Sequence, residues 1–373
     1  MPPSEATPLP GAVSRFVAAR FPGAGVTPLP GDASTRRYFR VSLPAHAPDR
    51  PGPGVTAEIA SPGSVILSLQ AGFDAESLPF IETTRLFDAL GLPVPAILDM
   101  EPASGIIAQE DAGHRLLQDL VQGQPAPATP GRPLRAVPDE TEIDRAYDSA
   151  IGFIVTLQHD GTPRVTRAMH AGRTALDADL FRRELAFFVE HLLVGLHQSA
   201  ISVDGVRQVE AACEVLCAVL DREPRVLCHR DLHSRNLMVD EAGQLTILDH
   251  QDARLGPDTY DLVSLLADPY VRIARHRMSR GLARYLALTG SIESLDSLQA
   301  RCDRMAVQRL LKAAGTFAAQ KTIHGRDTYL KYLPPALTRA RESLQRCPEL
   351  APLLAALAPI FARLAPPPRR TDR

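Results

Sequence analysis

The sequence predicts an α+β fold of two lobes: a small antiparallel β-rich N-terminal lobe with one helix, and a larger, mainly α-helical C-terminal lobe. Three observations predict it. Most short alternating or apolar stretches, which are typical of strands, fall before residue 111. Long segments with helical spacing of apolar residues dominate after residue 141. Between them, residues 122–138 (QGQPAPATPGRPLRAVP) are rich in proline and glycine, as in a flexible linker or insertion.

The N-terminal lobe is predicted over residues 1–111, and we expect it to bind a nucleotide. Its first strand follows a turn, because Tyr38 and Arg40 alternate with Phe39 and Val41. The expected elements, in order, are a turn and strand over residues 31–43, a loop over 44–63, a strand over 65–69, a helix over 78–90, and a hairpin pair over 94–100 and 105–109.

The C-terminal lobe is predicted over residues 141–365, after a hinge and insertion over 112–140 and before a disordered tail over 366–373. Asp204 is the expected N-cap of its third helix. The expected elements are helices over 142–159, 176–196 and 206–222, short strands over 237–239 and 245–248, and further helices from 259 to about 364.

The composition of the chain favours a small molecule over nucleic acid or a membrane as its binding partner. The formal net charge of −2 over 373 residues favours neither nucleic acid nor an anionic membrane, and no apolar run approaches the length of a membrane span. The first ten residues lack the pattern of a signal peptide, so we expect a cytoplasmic monomer or weak dimer with a small-molecule substrate. Five scattered cysteines are expected to be core thiols. Lysine occurs only at Lys312, Lys321 and Lys331, so lysine-dependent chemistry must be sought near the C-terminus.

The stretch from residue 226 to residue 261 carries the most chemical information. Asp231 lies in a His-Arg-Asp triplet, Asn236 follows five residues later, and two short apolar strands then end in Asp249. This is the arrangement of the protein-kinase catalytic loop and its downstream metal aspartate. An aspartate must orient the attacking hydroxyl, while hard oxygen ligands hold Mg²⁺ against a triphosphate. The spacing therefore predicts ATP- and Mg²⁺-dependent phosphoryl transfer, the alternative being a coincidental surface loop.

HRDLHSRN and the later LDHQDA resemble the aminoglycoside phosphotransferase and choline kinase-like superfamily, which has a two-lobed protein-kinase-like fold. The DFG and APE segments of protein kinases are missing from the sequence. More narrowly, the chain resembles the anomeric kinases of peptidoglycan recycling, which phosphorylate N-acetylmuramate and N-acetylglucosamine. The segments that carry this resemblance are GDASTRRYFRV, CHRDLHSRNLMV, LDHQDARLGPDTYDLVSLLADPYV and RLLKAAGTFAAQKTIHGRDTYLKYLP. It implies a cytoplasmic amino-sugar 1-kinase.

The resemblance also implies roles for residues around the catalytic loop. Asp231 would be the catalytic base, and Asn236 and Asp249 would be the magnesium ligands. His229 and Asp261 would be structural braces of the catalytic loop, and an N-cap is a mechanism that would suit Asp261.

The nucleotide side departs from the superfamily at one point. The strand that usually carries a phosphate-binding lysine reads SVILSLQ here, over residues 64–70. Arg36, Arg37 and Arg40 are candidate replacements, since a guanidinium binds phosphate bidentately. Glu82 could pair with such an arginine or lie on a solvated helix face. The remaining expected nucleotide contacts are the phosphate-covering turn, with Gly31, Asp32, Ser34 and Thr35, and the adenine hinge, with Gln109, Glu110 and Asp111.

The acceptor side is predicted from residues that flank the catalytic loop and the metal aspartate: His233, Arg235, Asp252 and Arg254. For His233 the alternative is a backbone hydrogen bond, and for the other three it is salt bridging among themselves. Two other functions stay open. One is a kinase for another hydroxyl compound, such as an aminoglycoside, choline or homoserine. The other is a nucleotide-binding pseudokinase, which the missing lysine suggests.

Overall fold

The computed structural model describes residues 9–29, 36–44, 63–124, 140–197 and 200–364. Its N-terminal lobe is built on a five-stranded antiparallel sheet in the order β1-β2-β3-β5-β4. The strands are β1 Gly25–Pro28, β2 Arg37–Ser42, β3 Ser64–Leu69, β4 Ile97–Glu101 and β5 Ile106–Glu110. The predicted fold class is therefore confirmed, although β1 was not predicted.

Two helices, not the single one predicted, pack against this sheet. Helix α1, Gly11–Arg20, buries Val13, Phe16 and Val17 against one face. Those positions follow the i, i+3, i+4 spacing of an amphipathic helix, so the signal was present in the sequence. Helix α2, Pro79–Ala89, lies at the predicted place and packs on the other face, toward the C-terminal lobe.

The C-terminal lobe is mainly helical around one large core. Its helices are α3 Leu117–Val121, α4 Glu140–Thr156, α5 His170–Arg173, α6 Ala178–Phe188, α7 Val203–Leu220, α8 Tyr260–Leu266, α9 Arg275–Thr289, α10 Leu295–Thr322, α11 Leu333–Leu344, α12 Ala351–Ala356 and α13 Ala358–Ala362. Helices α4 and α6 each continue into a π-helical segment, Leu157–Gly161 and Val189–Leu196 respectively. Helix α10 crosses the centre of the lobe and contacts α6, α8 and α11.

Two short antiparallel ribbons interrupt the helices and position the predicted catalytic segment. Strands β7, Leu237–Val239, and β8, Leu245–Ile247, form the predicted hairpin. Strands β6, Arg225–Cys228, and β9, Arg254–Pro257, form a second pair that was not predicted. Strand β9 ends in Gly-Pro, which is a turn signal in a sequence. Its strand character comes from pairing with β6 across the loop between them.

The predicted N-cap of α7 is wrong. Ser202, not Asp204, accepts the hydrogen bond from the Gly205 backbone N–H. Asp204 lies inside the first turn and pairs with Arg207. Serine and aspartate both cap helices well, so the choice between neighbours depends on where the backbone turns.

All five cysteines are buried free thiols, as expected of core residues. Across the described ranges, every helix is too short or too polar to cross a bilayer. Three predicted segments fall wholly or largely outside the described residues: the loop over 44–63, the insertion over 122–138 and the tail over 366–373.

Candidate active site

The catalytic loop, residues 229–236, connects β6 to β7, and the buried side chain of Asp261 fastens its start. One carboxylate oxygen of Asp261 accepts the backbone N–H of His229 at 2.6 Å, and the other accepts that of Arg230 at 2.9 Å. Burial raises the pKa of Asp261, while the hydrogen bonds from the His229 and Arg230 backbone N–H groups oppose the rise. The N-cap mechanism is wrong, because Thr259 occupies the N-cap position of α8 and Asp261 lies within its first turn.

His229 fastens the same loop to the strand end that carries Asp249. Its Nε2–H donates to the Leu248 carbonyl at 2.9 Å, and its Nδ1 accepts the Asp231 backbone N–H at 3.3 Å. The ring therefore connects the start of the catalytic loop to the end of the strand that precedes Asp249.

Backbone strain marks two points of the site. Among the described residues, Arg230 (φ 82°) and Asp249 (φ 58°) are the non-glycine residues with positive φ. One directly precedes Asp231 and the other is the predicted metal carboxylate. Such conformations cost about 1–3 kcal/mol each and persist only where surrounding contacts enforce them. Asp261 supplies that contact for Arg230.

Asn236 and Asp249 lie at one end of the β7–β8 hairpin. The Leu248 backbone N–H donates to the Asn236 carbonyl at 2.9 Å, so Asp249 is one residue beyond the partner of Asn236. The Asn236 side-chain amide donates to the Asp231 carbonyl at 2.9 Å, which leaves its Oδ1 as the ligand atom. No cluster of three His, Cys, Asp or Glu side chains within the described ranges could hold a metal. Magnesium needs no such cluster, since it takes one or two protein oxygens together with phosphates and water, and this donor pair fits it.

Asp231 is surrounded by cations. Its Oδ1 lies 3.6 Å from Lys312 Nζ and 3.7 Å from the Arg309 guanidinium. Burial alone would raise the pKa of Asp231, but Lys312, Arg230 and Arg309 hold it far below its ordinary value. The carboxylate is therefore ionised and only weakly basic before substrate arrives.

A second aspartate, Asp268, fastens the middle of the catalytic loop, and it was not predicted from the sequence. It is fully buried and accepts the backbone N–H of Ser234 at 2.9 Å and that of Tyr270 at 2.7 Å. It lies in the quoted LADPYV segment, but nothing in that local pattern indicates which backbone it binds.

A cavity of about 240 Å³ opens beside Asp231. Its polar lining includes Asp231, His233, Lys312 and Thr316, and Tyr270 and Phe317 form part of its apolar wall. A larger groove of about 1040 Å³ shares Tyr270 with it. Because Asp231 lines the smaller cavity and does not line that groove, the smaller cavity is the candidate acceptor site.

The four predicted acceptor residues fall into two neighbouring pairs, His233 with Arg235 and Asp252 with Arg254. His233 accepts the Arg235 backbone N–H at 3.3 Å and packs edge-on against Tyr270, and burial lowers its pKa. The Arg235 guanidinium stacks over the Tyr270 ring at 4.8 Å. Asp252 and Arg254 form a 3.0 Å salt bridge, and Asp252 also pairs with Arg230 at 3.3 Å. Of the four, only His233 lines the small cavity.

Strand β2 divides the three candidate arginines between two faces of the sheet. Arg37 stacks over Phe39, on the α1 face. Arg36 lies on the α2 face over the Phe80 ring and donates to Gln70 at 2.9 Å. Tyr38 lies on the same face of the sheet as Arg36. Burial raises the pKa of Tyr38, Arg36 opposes the rise, and Asp249 adds to it. Phe80 also stacks on His250, the residue after Asp249, so the face that holds Arg36 is the one toward the predicted metal carboxylate.

Arg40 and Asp111 form the fixed end of the hinge. Arg40 binds both oxygens of Asp111, at 2.6 and 2.9 Å, and Ser64 donates to the same carboxylate at 2.7 Å. Although burial opposes it, hydrogen bonds from Arg40 and Ser64 hold the pKa of Asp111 below its ordinary value. Gln109 and Glu110 belong to β5. The predicted phosphate-covering residues Gly31, Asp32, Ser34 and Thr35 lie outside the described residues.

Helix α2 connects the small lobe to the C-terminal lobe through His250, the residue after Asp249. The His250 Nε2–H donates to Thr84 at 2.7 Å, and the ring stacks on Phe80 with centroids 5.0 Å apart. Burial lowers the pKa of His250 to about 3, so the ring is neutral. Glu82 follows neither predicted alternative, because its carboxylate accepts the His170 backbone N–H at 2.6 Å.

A sheet lobe over a helical lobe, with a braced Asp231 and an Asn–Asp pair at one hairpin end, defines a phosphotransferase that acts on a hydroxyl group. The sequence model of the phosphotransferase enzyme family (APH) matches residues 25–299. The chain belongs to this family, as the resemblance predicted.

Named relatives and solved structures agree with this membership. The chain is 28% identical over 340 residues to an N-acetylmuramate/N-acetylglucosamine kinase of Pseudomonas aeruginosa, covering 89% of this chain and 87% of that one. A kinase of the same name in Neisseria meningitidis is 28% identical over 331 residues, covering 87% of each chain. The predicted resemblance to N-acetylmuramate/N-acetylglucosamine kinases is thereby confirmed. The fold matches a choline/ethanolamine kinase family protein from Mesorhizobium loti, with a TM-score of 0.56 at 14% identity over 92% of this chain and 98% of that one. It also matches an ADP-bound aminoglycoside phosphotransferase, with a TM-score of 0.53 at 13% identity over 92% and 99% of the two chains.

Proposed function

We propose that this chain transfers the γ-phosphoryl group of ATP, in the presence of Mg²⁺, to the anomeric hydroxyl of N-acetylmuramate or N-acetylglucosamine. Among the possible acceptors, the charge of the cavity beside Asp231 is the observation that supports a sugar. Lys312 lines this cavity, and Arg309 lies 3.7 Å from Asp231. Choline and aminoglycosides are cations and would meet like charge at this wall, which disfavours them. A neutral amino sugar, or one that carries a carboxylate, meets no such penalty. The names of the relatives, at 28% identity over most of the chain, support the same choice.

In the proposed reaction Asp231 orients the sugar hydroxyl toward the γ-phosphorus. The surrounding cations make this carboxylate a weak base, so it would take the proton only as the new O–P bond nears completion. A loose phosphoryl-transfer transition state fits that order, because the nucleophile carries little charge until late. Asp261 and His229 would keep Asp231 in place through the loop backbone.

The nucleotide side is proposed from the same contacts. Asn236 and Asp249 would hold Mg²⁺, which when bound supplies charge neutralisation at the phosphates. Arg36 is favoured over Arg37 for phosphate contact, since it lies on the face toward Asp249. The side chain of Asp111 is committed to Arg40 and Ser64, so the hinge would meet adenine through backbone atoms.

The conformational free energy that the backbone at Arg230 and Asp249 requires argues against the pseudokinase alternative. The positive φ angles at Arg230 and Asp249 are conformations that a chain without phosphoryl transfer has no need to keep.

The test is an ADP-coupled assay with N-acetylglucosamine, N-acetylmuramate and the methyl glycoside of N-acetylglucosamine, in which the anomeric oxygen is blocked. Choline, homoserine and an aminoglycoside complete the panel. We expect turnover of the free sugars, none of the glycoside, and a product whose phosphorus couples to the anomeric proton by NMR. Asp231→Asn should lower turnover by at least about two orders of magnitude. Equal turnover of the blocked glycoside, or undiminished activity in Asp231→Asn, would overturn the proposal.

A further inference from the structure

Of the three lysines of this chain, Lys312 lies at the active site. It belongs to the C-terminal lobe, not to the small-lobe strand that carries a lysine in most of the superfamily. It lies in the middle of α10, more than 80 residues after Asp231, on the acceptor side of the site. Its Nζ is 3.6 Å from Asp231 Oδ1 and 3.5 Å from Glu184 Oε1. The other two lysines lie elsewhere: Lys321 pairs with Asp327, and Lys331 stacks over Tyr332.

The ammonium group of Lys312 lies near two carboxylates but forms no short hydrogen bond with either of them. Charge-assisted hydrogen bonds are normally about 2.7–2.9 Å long, and both of its carboxylate contacts are longer. Glu184 has other partners, since it accepts from Gln308 at 2.8 Å and from Arg230 at 3.3 Å. The side chain of Lys312 is 19% exposed and that of Asp231 is 29% exposed, so both can meet a substrate in the cavity.

The position of Lys312 matches the place where negative charge moves during transfer. An acceptor hydroxyl held by Asp231 must have the γ-phosphorus on its other side, and Lys312, a long side chain that lines the same cavity as Asp231, can extend along the hydroxyl toward the phosphoryl oxygens. Fixed cations at that point lower the barrier because they need no reorganisation during the reaction.

We propose that Lys312 is a catalytic residue that contacts the transferred phosphoryl group. This role rests on the proposed kinase function and extends it. As the acceptor O–P bond forms and the bond from the γ-phosphorus to the β,γ-bridging oxygen breaks, Lys312 stays protonated and pairs with the phosphoryl oxygens. The hydroxyl proton goes to Asp231, and ADP leaves with the bridging oxygen. Lys312 thus places a cation on the acceptor side of the phosphate, whereas the described part of the small lobe has no lysine to place on the nucleotide side.

A purely structural role is the competing explanation, since Lys312 also neutralises buried Glu184. Burial alone would lower the pKa of Lys312, but Asp231 and Glu184 raise it, so the cation is stable in either role. The two roles differ in what happens when Glu184 and Lys312 are neutralised together. Folding is then relieved of an unpaired buried charge, but a catalytic cation is still missing.

The test compares the wild-type chain with Lys312→Met, the double variant Glu184→Gln/Lys312→Met, and Lys321→Met. Lys321→Met makes the same change on the same helix at an exposed ion pair and should leave activity unchanged. We expect both Lys312 variants to lose roughly 100- to 1,000-fold in kcat, with the KM for the acceptor within about threefold of wild type. Recovery of kcat in the double variant, or a loss confined to the acceptor KM, would overturn the proposal.

Ligand binding supplies a readout that does not depend on turnover or on the identity of the acceptor. MgADP with aluminium fluoride mimics the transferring phosphoryl group, and calorimetry can compare its affinity with that of MgADP alone, without sugar. Lys312→Met should weaken the fluoride complex by roughly 100-fold and MgADP by less than about threefold, because the lost contact belongs to the transition state. Equal weakening of the two would count against the proposal. If the wild-type chain phosphorylates no sugar but this difference is found, the proposed acceptor fails while the role of Lys312 stands.

Discussion

Asp261→Asn is the substitution that most directly tests how the catalytic loop is held. Asparagine keeps the size of the side chain and one acceptor oxygen, but its NH₂ group cannot accept a hydrogen bond. One of the two backbone N–H groups that Asp261 binds, at His229 and Arg230, is then buried without a partner. An unsatisfied buried donor costs about 1–3 kcal/mol, and the remaining bond weakens because its acceptor is no longer charged.

The loop also stores strain that this contact opposes. Arg230 has a φ of 82°, a conformation that costs about 1–3 kcal/mol and that Asp261 stabilises directly. Together these effects favour a relaxed loop by about 2–3 kcal/mol. A displacement of that free energy reduces the fraction of correctly placed Asp231, and hence kcat, by roughly 30- to 150-fold.

The assay measures kcat, the KM for ATP, and amide hydrogen exchange at His229 and Arg230. We expect kcat to fall as calculated, the KM for ATP to change little, and both amides to exchange faster. Asp204→Asn is the matched control, since it makes the same change in the first turn of α7 at an exposed carboxylate. The reasoning is refuted if kcat stays within about threefold of wild type while both amides keep their protection.

Two further predictions concern stability. The pKa of His250 is about 3 in the folded chain and about 6.5 when unfolded, so the unfolded state binds the extra proton and the free energy of unfolding falls as pH drops through this window. His250→Phe should lower the slope of the free energy of unfolding against pH by up to about 1.4 kcal/mol per pH unit. Urea unfolding at pH 7, 6 and 5 measures this slope, and equal values for the wild type and the variant would show that the assignment is wrong. A Cβ added at Gly315 would lie 2.6 Å from the Phe188 Cα, so Gly315→Ala should lower the free energy of unfolding by about 1–3 kcal/mol. At Gly152 in α4, no atom outside the neighbouring helix backbone lies within 4 Å of an added Cβ, so Gly152→Ala should be neutral or stabilising. Similar changes in melting temperature for the two variants would contradict the packing argument.

What could be predicted from the sequence was local in the chain. Asp231, Asn236 and Asp249 fall within 19 residues of one another, and the β7–β8 hairpin between them follows from two short apolar runs. The turn and alternation that predict β2 are local in the same way. The structure of such segments can be predicted from the sequence because it depends mainly on residues close to one another in the chain.

What could not be predicted comes from contacts between distant segments. Lys312 and Glu184 reach Asp231 from α10 and α6, and each sits in a helix whose local pattern predicts only a helix. Asp268 binds the backbone of Ser234, and no side-chain pattern shows where a backbone N–H will point. The scarcity of lysine was the one available clue to Lys312, since it restricted lysine chemistry to the last 62 residues of the chain.

The charges around Asp231 connect the proposed acceptor with the missing small-lobe lysine. Arg230, Arg309 and Lys312 together lower the pKa of Asp231, while Arg230 and Lys312 also pair with Glu184, and Arg230 pairs with Asp252 as well. Lys312 lines the cavity where the acceptor would meet the γ-phosphate, so a cationic substrate would be repelled there and an anionic one would not. A site arranged in this way discriminates against cationic acceptors with the same group that stabilises the transferred phosphate. Replacing Lys312 should therefore relax acceptor charge selectivity as well as slow transfer, a coupling that a lysine on β3, remote from the acceptor, could not produce.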